Sequence, residues 1–229
     1  MRPILLQPPH LAVFDVDGTL IDSQHAIVAA MTAACCETGI AAPPPAHIRR
    51  IIGLSLTDAV SLLLPDIGAG LRDAVIDAYK RDFARQRSLA EHHQPLFDGA
   101  RAALDTLSAA GWLLAVATGK SRRGLAAMLE RHGLGGRFVS LQTADDNPGK
   151  PHPAMLRRAI AEAGAQAAAT VMIGDTSFDM QMGRAAGTRT LGVAWGNHRP
   201  AELLDAGAER VVERYDQLPA SVTGLLAPP

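Results

Sequence analysis

Short, unbroken apolar runs recur along the chain, and the stretches between them bring apolar residues back every three or four positions. The runs are "LAVFD" (Leu11 to Asp15), "WLLAVAT" (Trp112 to Thr118), "FVSLQ" (Phe138 to Gln142), "TVMIGD" (Thr170 to Asp175) and "TLGVAW" (Thr190 to Trp195). Continuous rather than alternating hydrophobicity is the pattern of strands buried on both faces, and "RVVE" from Arg210 is a further candidate. Between them, "ARAALDTLSAAG" ends on Gly111, "SRRGLAAMLERHG" opens on the capping residue Ser121, and "PAMLRRAIAEAG" opens after Pro153. This alternation predicts an α/β fold with a Rossmann-like parallel sheet and helical crossovers.

From about Ile21 to Gln94 the alternation stops. That block holds helical patterns alone: "HAIVAAMTAACCETG", "SLTDAVSLLL" and "GLRDAVIDAYKRDFARQ". It reads as a helical lid, residues 21–94, inserted after the first strand of a core formed by residues 1–20 and 95–229. The proline-rich "AAPPPAH" (Ala41 to His47) is a connection inside the lid. No internal repeat is visible.

Composition narrows the function classes. At 229 residues, with 48% hydrophobic and 20% charged positions, the chain suits one large domain with a smaller insertion. Its 22 basic and 23 acidic residues give a net charge of -1, which argues against a nucleic-acid or anionic-membrane binder and makes any anion selectivity local. The two cysteines, Cys35 and Cys36, are adjacent, so no disulfide framework is expected. "MRPILLQPPH" reads as neither signal peptide nor membrane span, and a cytoplasmic protein is expected. Aromatic residues, 4% of the chain, anchor no obvious interface, which leaves monomer and homodimer both open.

In an open parallel sheet the carboxyl ends of the strands line the ligand crevice. The first strand delivers Asp15 with Asp17 just beyond, the second Thr118 and Gly119, and the fourth Asp175 with Asp179 one helical turn on. Lys150 follows the third strand at the head of a helix. So many carboxylates in one crevice are costly without a cation. Mg²⁺ suits a few carboxylates, several waters and a phosphate oxygen.

The motifs "DVDGTL", "TGK", "KPHP" and "GDTSFD", in that order and at strand ends, resemble those of the haloacid dehalogenase superfamily of phosphohydrolases. The likeness spans nearly the whole chain, because the helical insertion resembles the family's cap and "GVAWGNH" resembles the end of its phosphoglycolate phosphatase-like branch. The resemblance implies Asp15 as nucleophile, giving an aspartyl-phosphate. Asp17 would act as general acid and then base, with its backbone carbonyl on the metal. Thr118, the Gly119 N–H and Lys150 would hold the phosphoryl oxygens, and Lys150 would also face Asp15. Asp15, Asp17, Asp175 and Asp179 would form the metal set, Asp179 directly or through water. Gly18 would permit an unusual turn, and Thr19 would orient neighbouring carboxylates.

The substrate is less legible. "RRIIGLSL" (Arg49 to Leu56) resembles the family's cap specificity loop, so Gly53 and Ser55 are expected to face the crevice. Arg49 or Arg50 either answers a substrate carboxylate or second phosphate, or is solvated. Mutase relatives carry a histidine where this chain has Ile27 and an arginine where it has Leu56; dehalogenase relatives lack the second aspartate, present here as Asp17. A phosphonate-cleaving relative needs a cap lysine, and Asp22 to Leu64 contains none. The expectation is a Mg²⁺-dependent phosphatase for a small phosphorylated metabolite, most like the phosphoglycolate phosphatases. Sugar-phosphate, nucleotide and pyrophosphate hydrolysis are the alternatives within the family, and a non-catalytic phosphometabolite-binding protein is the alternative outside it. His152 is expected to support its loop, His92 and His93 to lie on the surface, and the methionines of "DMQMG" to pack in the core.

Overall fold

The first apolar run becomes the innermost strand. In a computed structural model that describes residues 8–87 and 94–227, β1 (Leu11–Phe14) is buried along its whole length. His92 and His93 lie outside the described residues. Four helices follow: α1 (Gln24–Glu37), α2 (Pro45–Arg50), α3 (Leu56–Leu63) and α4 (Ala69–Arg87). The alternating part then runs α5 (Ala100–Ala109), β2 (Leu113–Thr118), α6 (Arg122–Arg131), β3 (Ser140–Thr143), α7 (Ala154–Glu162), β4 (Thr170–Gly174), α8 (Ser177–Ala186) and β5 (Arg189–Val193). It closes with α9 (Pro200–Asp205), β6 (Arg210–Val212) and α10 (Leu218–Leu226).

The strands form one parallel sheet in the order β3-β2-β1-β4-β5-β6, with Leu11 opposite Leu113 on one side and Thr170 on the other. Because successive side chains alternate across a strand, β1 feeds two cores. Ala12 and Phe14 pack with Leu104, Leu107 and Leu125 on one face, and Leu11 and Val13 pack with Met155, Leu156 and Met182 on the other. Helices on both faces explain why these strands read as unbroken apolar runs. Met180 and Met182 are both fully buried.

The edge strand departs from the expected pattern. "FVSLQ" was expected as a buried apolar run over Phe138 to Gln142, whereas β3 spans Ser140–Thr143 with Val139 48% and Leu141 44% exposed. The polar residues point inward instead: Ser140 donates to Glu162 of α7 at 2.7 Å and Gln142 Nε2 donates to the same carboxylate at 2.9 Å. At a sheet edge one helix covers only part of the strand, and a satisfied polar cluster replaces apolar burial.

The four early helices have their own apolar centre, in which Met31 and Cys35 of α1 meet Ile48, Val60 and Val75. The chain leaves and re-enters the sheet layer at one place. Asp22 N–H donates to Pro95 O at 2.9 Å, and Phe97 N–H donates to Leu20 O at 3.0 Å.

Burial fixes the expected sensitivity to truncation. Leu104, fully buried beneath the sheet, should lose about 2–5 kcal/mol of stability on change to Ala. Leu62, 60% exposed on α3, should change by less than about 0.5 kcal/mol. Urea unfolding of both variants checks this, and equal losses would contradict the two-core packing.

Candidate active site

Strand order decides which residues can meet. β1 lies between β2 and β4, so the residues just beyond their carboxyl ends are neighbours: Thr118 and Gly119 on one side, Asp15 centrally, Asp175 on the other. Asp15 N–H continues the ladder to Ile173 O at 2.9 Å, which fixes where its side chain emerges. Asp179 is held in the first turn of α8 by a capping box, its Oδ2 accepting from the Thr176 N–H at 3.1 Å and hydroxyl at 2.7 Å.

Asp15, Asp175 and Asp179 are all fully buried, and each places a carboxylate oxygen within 4.8 Å of the others. Lys150, also buried, sets its Nζ 2.7 Å from Asp15 Oδ1 and 2.6 Å from Asp179 Oδ1. Asp175 is fully engaged: Oδ1 accepts from Thr19 Oγ1 at 2.8 Å, and Oδ2 accepts from Asn197 N and Nδ2, both at 2.8 Å. Asp15 differs, because apart from the Lys150 ammonium neither oxygen has a hydrogen-bond donor among the described residues.

Electrostatics follow from that imbalance. Burial, reinforced by Asp179 and Asp175 and opposed by Lys150, pushes the Asp15 carboxyl up to about 8. Burial and Asp179 push Asp175 up to about 6, against the hydrogen bonds from Asn197 and Thr19. Burial alone would lower Lys150, but Asp15 and Asp179 beside it win and hold it above the ordinary lysine range. Three carboxylates facing one ammonium carry two excess negative charges when ionised. A hard divalent cation fits both this charge and the donor-free oxygens of Asp15.

Asp17 sits beside this cluster and pairs elsewhere. Lys120 Nζ lies 2.7 and 2.8 Å from its two oxygens. Thr118 Oγ1 accepts from the Lys120 N–H at 3.2 Å, which leaves its own hydroxyl proton free to donate. Gly18 has φ +90°, and a Cβ there would overlap Asp175 Oδ2, so the turn just after Asp17 requires glycine.

The early helices close over the site. A Cβ at Gly119 would overlap the carbonyl oxygens of Leu54 and Gly53, so the loop before α3 rests directly on the end of β2. Gly53 lines a cavity of about 430 Å³ together with Asp17, Gly119 and Lys120. Ser55 instead caps α3, accepting from Asp58 N at 3.1 Å and donating to Asp58 Oδ2 at 2.6 Å. Neither Arg49 nor Arg50 is among the residues lining the cavity. Arg50 is tied to the sheet layer, with its guanidinium 2.8 Å from Glu202 and its carbonyl 3.1 Å from His198 Nε2. His152 Nδ1 accepts from the Ala154 N–H at the head of α7.

Two residues of the site escaped the reading of the sequence as participants. Lys120 belongs to "TGK" and Asn197 to "GVAWGNH", so both stood inside motifs whose other residues drew the attention. Their roles depend on partners distant in sequence, Asp17 and Asp175.

Comparison with known proteins identifies the family. Residues 12–193 match the family described as haloacid dehalogenase-like hydrolase. A protein of Dickeya dadantii named "Probable phosphatase IndB" is 34% identical, with 94% of each chain covered. The pyrophosphatase PpaX of Bacillus pumilus is 33% identical over 84% of this chain and 90% of that one. The phosphoglycolate phosphatase of Rhodospirillum rubrum is 29% identical over 92% and 89%. Among solved structures, a hydrolase from Pseudomonas syringae superposes with a TM-score of 0.85 at 26% identity, covering 95% of this chain and all of that one.

The raised Asp15 carboxyl sets a pH dependence. The metal-free folded state holds a proton at Asp15 that the unfolded chain, at 3.8, has released, so this group costs stability progressively from about pH 4 to about pH 8. His132 and His198, lowered by burial, act oppositely, but only below their ordinary value of 6.5. Between pH 7 and 8 the melting temperature of metal-free protein should therefore fall, and the gain on adding Mg²⁺ should be larger at pH 8 than at pH 6.5. Scanning calorimetry with EDTA or Mg²⁺ tests this; an equal gain at both pH values would contradict it.

Proposed function

The chain belongs to the haloacid dehalogenase-like hydrolase family and is a phosphatase, and from that premise we propose a Mg²⁺-dependent phosphomonoester hydrolase acting through an aspartyl-phosphate on a small phosphorylated metabolite. The observation that carries the reading is Asp15: a buried carboxylate at a strand end whose oxygens, among the described residues, lack donors other than Lys150, two residues from a second carboxylate. A group required only for structure would be satisfied, as Asp175 is.

In this reading an Asp15 oxygen attacks phosphorus and the bond to the leaving oxygen breaks, while Asp17 gives that oxygen a proton. Asp17 then takes a proton from water as the water oxygen attacks the phosphorus, releasing phosphate and regenerating Asp15. The Lys120 ion pair must open and Asp17 must take a proton from solvent before it can donate; in later turnovers the proton comes from the attacking water. An arriving phosphoryl dianion competes for that ammonium, which supplies the release. Thr118 and the Gly119 N–H would donate to the phosphoryl oxygens, and Lys150 would balance charge on Asp15 and the transferred group. Asp15, Asp175, Asp179 and the Asp17 carbonyl would hold Mg²⁺, which when bound neutralises developing charge on the phosphoryl oxygens. The helices α1 to α4 would serve as a lid that excludes water.

Motif likeness supports the phosphoglycolate phosphatase-like branch without fixing the leaving group, and pyrophosphate, sugar phosphates and nucleotides are the competing substrate classes. The test is phosphate release from a panel spanning these classes. Turnover should require Mg²⁺, vanish with EDTA, and drop by at least about 10³-fold in Asp15→Asn. Retained binding with no turnover in the wild-type protein would favour a phosphometabolite-binding protein instead.

A further inference from the structure

We infer that the leaving group this phosphatase accepts is uncharged and mainly apolar, so that its substrate is a phosphomonoester of a hydrocarbon or ring-bearing alcohol rather than of a hydroxy acid or polyol. This rests on the phosphatase reading above and adds the substrate class. The cavity begins at Asp17 and Gly119, where the phosphoryl group would sit, and its walls set what the leaving group meets. Away from that end the cavity is bounded by Ile27 and Met31 of α1, Ile52 before α3, Leu56 of α3, and Tyr79 and Phe83 of α4. Tyr79 and Phe83 are one turn apart and their rings stack, with centroids 5.5 Å apart and 19° between planes, which gives the cavity a flat aromatic side.

A charged leaving group finds little to pair with there. Lys120, the buried cation of the cavity, is already held by both oxygens of Asp17 and lies 5.5 Å from the Phe83 ring centroid. Lys80 and Arg123 also line the cavity but are exposed to solvent, and Lys80 lies 3.9 Å from Asp77. Arg49 and Arg50, the cap arginines that could have answered a carboxylate, do not line it. A carboxylate set against Ile27, Met31, Ile52, Leu56 and Phe83 would lose water with no unpaired buried cation among the lining residues to answer it. For a row of hydroxyls the wall offers side-chain partners at few points, Tyr79, Ser121 and Asp145. Volume points the same way. About 430 Å³ lies within the roughly 300–1,000 Å³ of small-molecule pockets and exceeds what a two-carbon acid fills.

The experiment compares kcat/KM for benzyl phosphate, glycerol 1-phosphate and 2-phosphoglycolate with Mg²⁺. Benzyl alcohol and glycerol are similarly weak acids, so the comparison of their esters reports the fit of the leaving group rather than its intrinsic reactivity. Benzyl phosphate should be favoured at least about tenfold over both polar esters. Leu56→Asn and Ile52→Asn, both at the cavity wall, should each lower the ratio of benzyl to glycerol phosphate. Preference for either polar ester, or a ratio that neither variant moves, would overturn the inference while leaving the phosphatase reading intact. Calorimetric binding of two non-hydrolysable probes, 2-phenylethylphosphonate and 3-phosphonopropionate, separates the two readings. Tighter binding of the aromatic probe without turnover of any ester would keep the cavity inference and sink the phosphatase. Equal binding, or tighter binding of the acid, would sink the cavity inference.

Discussion

Asp15 is buried with less positive charge around it than its ionised form needs, and the surrounding structure answers that deficit. Lys150 supplies one positive charge, shared with Asp179 at 2.6 Å. The other carboxylates are kept from turning toward Asp15 by bonds of their own, from Thr19 and Asn197 to Asp175 and from Thr176 to Asp179. Asp15 is therefore the carboxylate of the three left open to react. The remaining deficit is met by a proton in metal-free protein, which is why its carboxyl is pushed up to about 8, or by a divalent cation. One imbalance would thus account for both the proposed reactivity of Asp15 and the proposed need for a metal ion.

That arrangement depends on parts of the chain remote from the first strand. The Thr19 carbonyl accepts from Trp195 Nε1 at 3.1 Å and also from the Tyr215 hydroxyl, and the two rings lie 4.3 Å apart. Thr19 is clamped through its backbone while its hydroxyl orients Asp175, so the C-terminal quarter of the fold holds the loop that carries Asp17. Immediately beyond, Leu20 and Asp22 pair with Phe97 and Pro95 where the helical segment departs. The clamped loop that carries Asp17 and the point where the helical segment leaves the sheet layer therefore lie within a few residues of each other.

The sheet was legible because burial on both faces writes itself as unbroken apolar runs, and the strand ends then named Asp15, Thr118 and Asp175. It was least legible at β3, where an edge position and Glu162 of α7 allowed Ser140 and Gln142 to turn inward and Leu141 outward. Periodicity reports how apolar a strand is, and says nothing of a polar partner on a later helix. The same gap hid Lys120 and Asn197, whose meaning lies in Asp17 and Asp175. The cap was harder still. Met31 belongs both to the apolar centre of the early helices and to the cavity wall, and no sequence pattern separates those two duties. Likewise Arg50 reads as a free cation beside a specificity loop until its contact with Glu202 is seen.

The charged floor and the apolar walls act on each other. Closing hydrocarbon over the site lowers its effective dielectric, which strengthens the hold of Lys150 and of the Gly119 N–H on a phosphoryl group. The same closure makes excess carboxylate charge more costly, so an apolar lid increases the dependence on a bound cation. Lys120 stands where the two meet, with its ammonium on Asp17 and the Phe83 ring of α4 beside it. In the proposed mechanism, a dianion drawing Lys120 off Asp17 would change the charge beside that carboxylate and the contact with Phe83 in one movement. Recognition of the phosphoryl group and enclosure of the leaving group would in this way be linked through a single side chain.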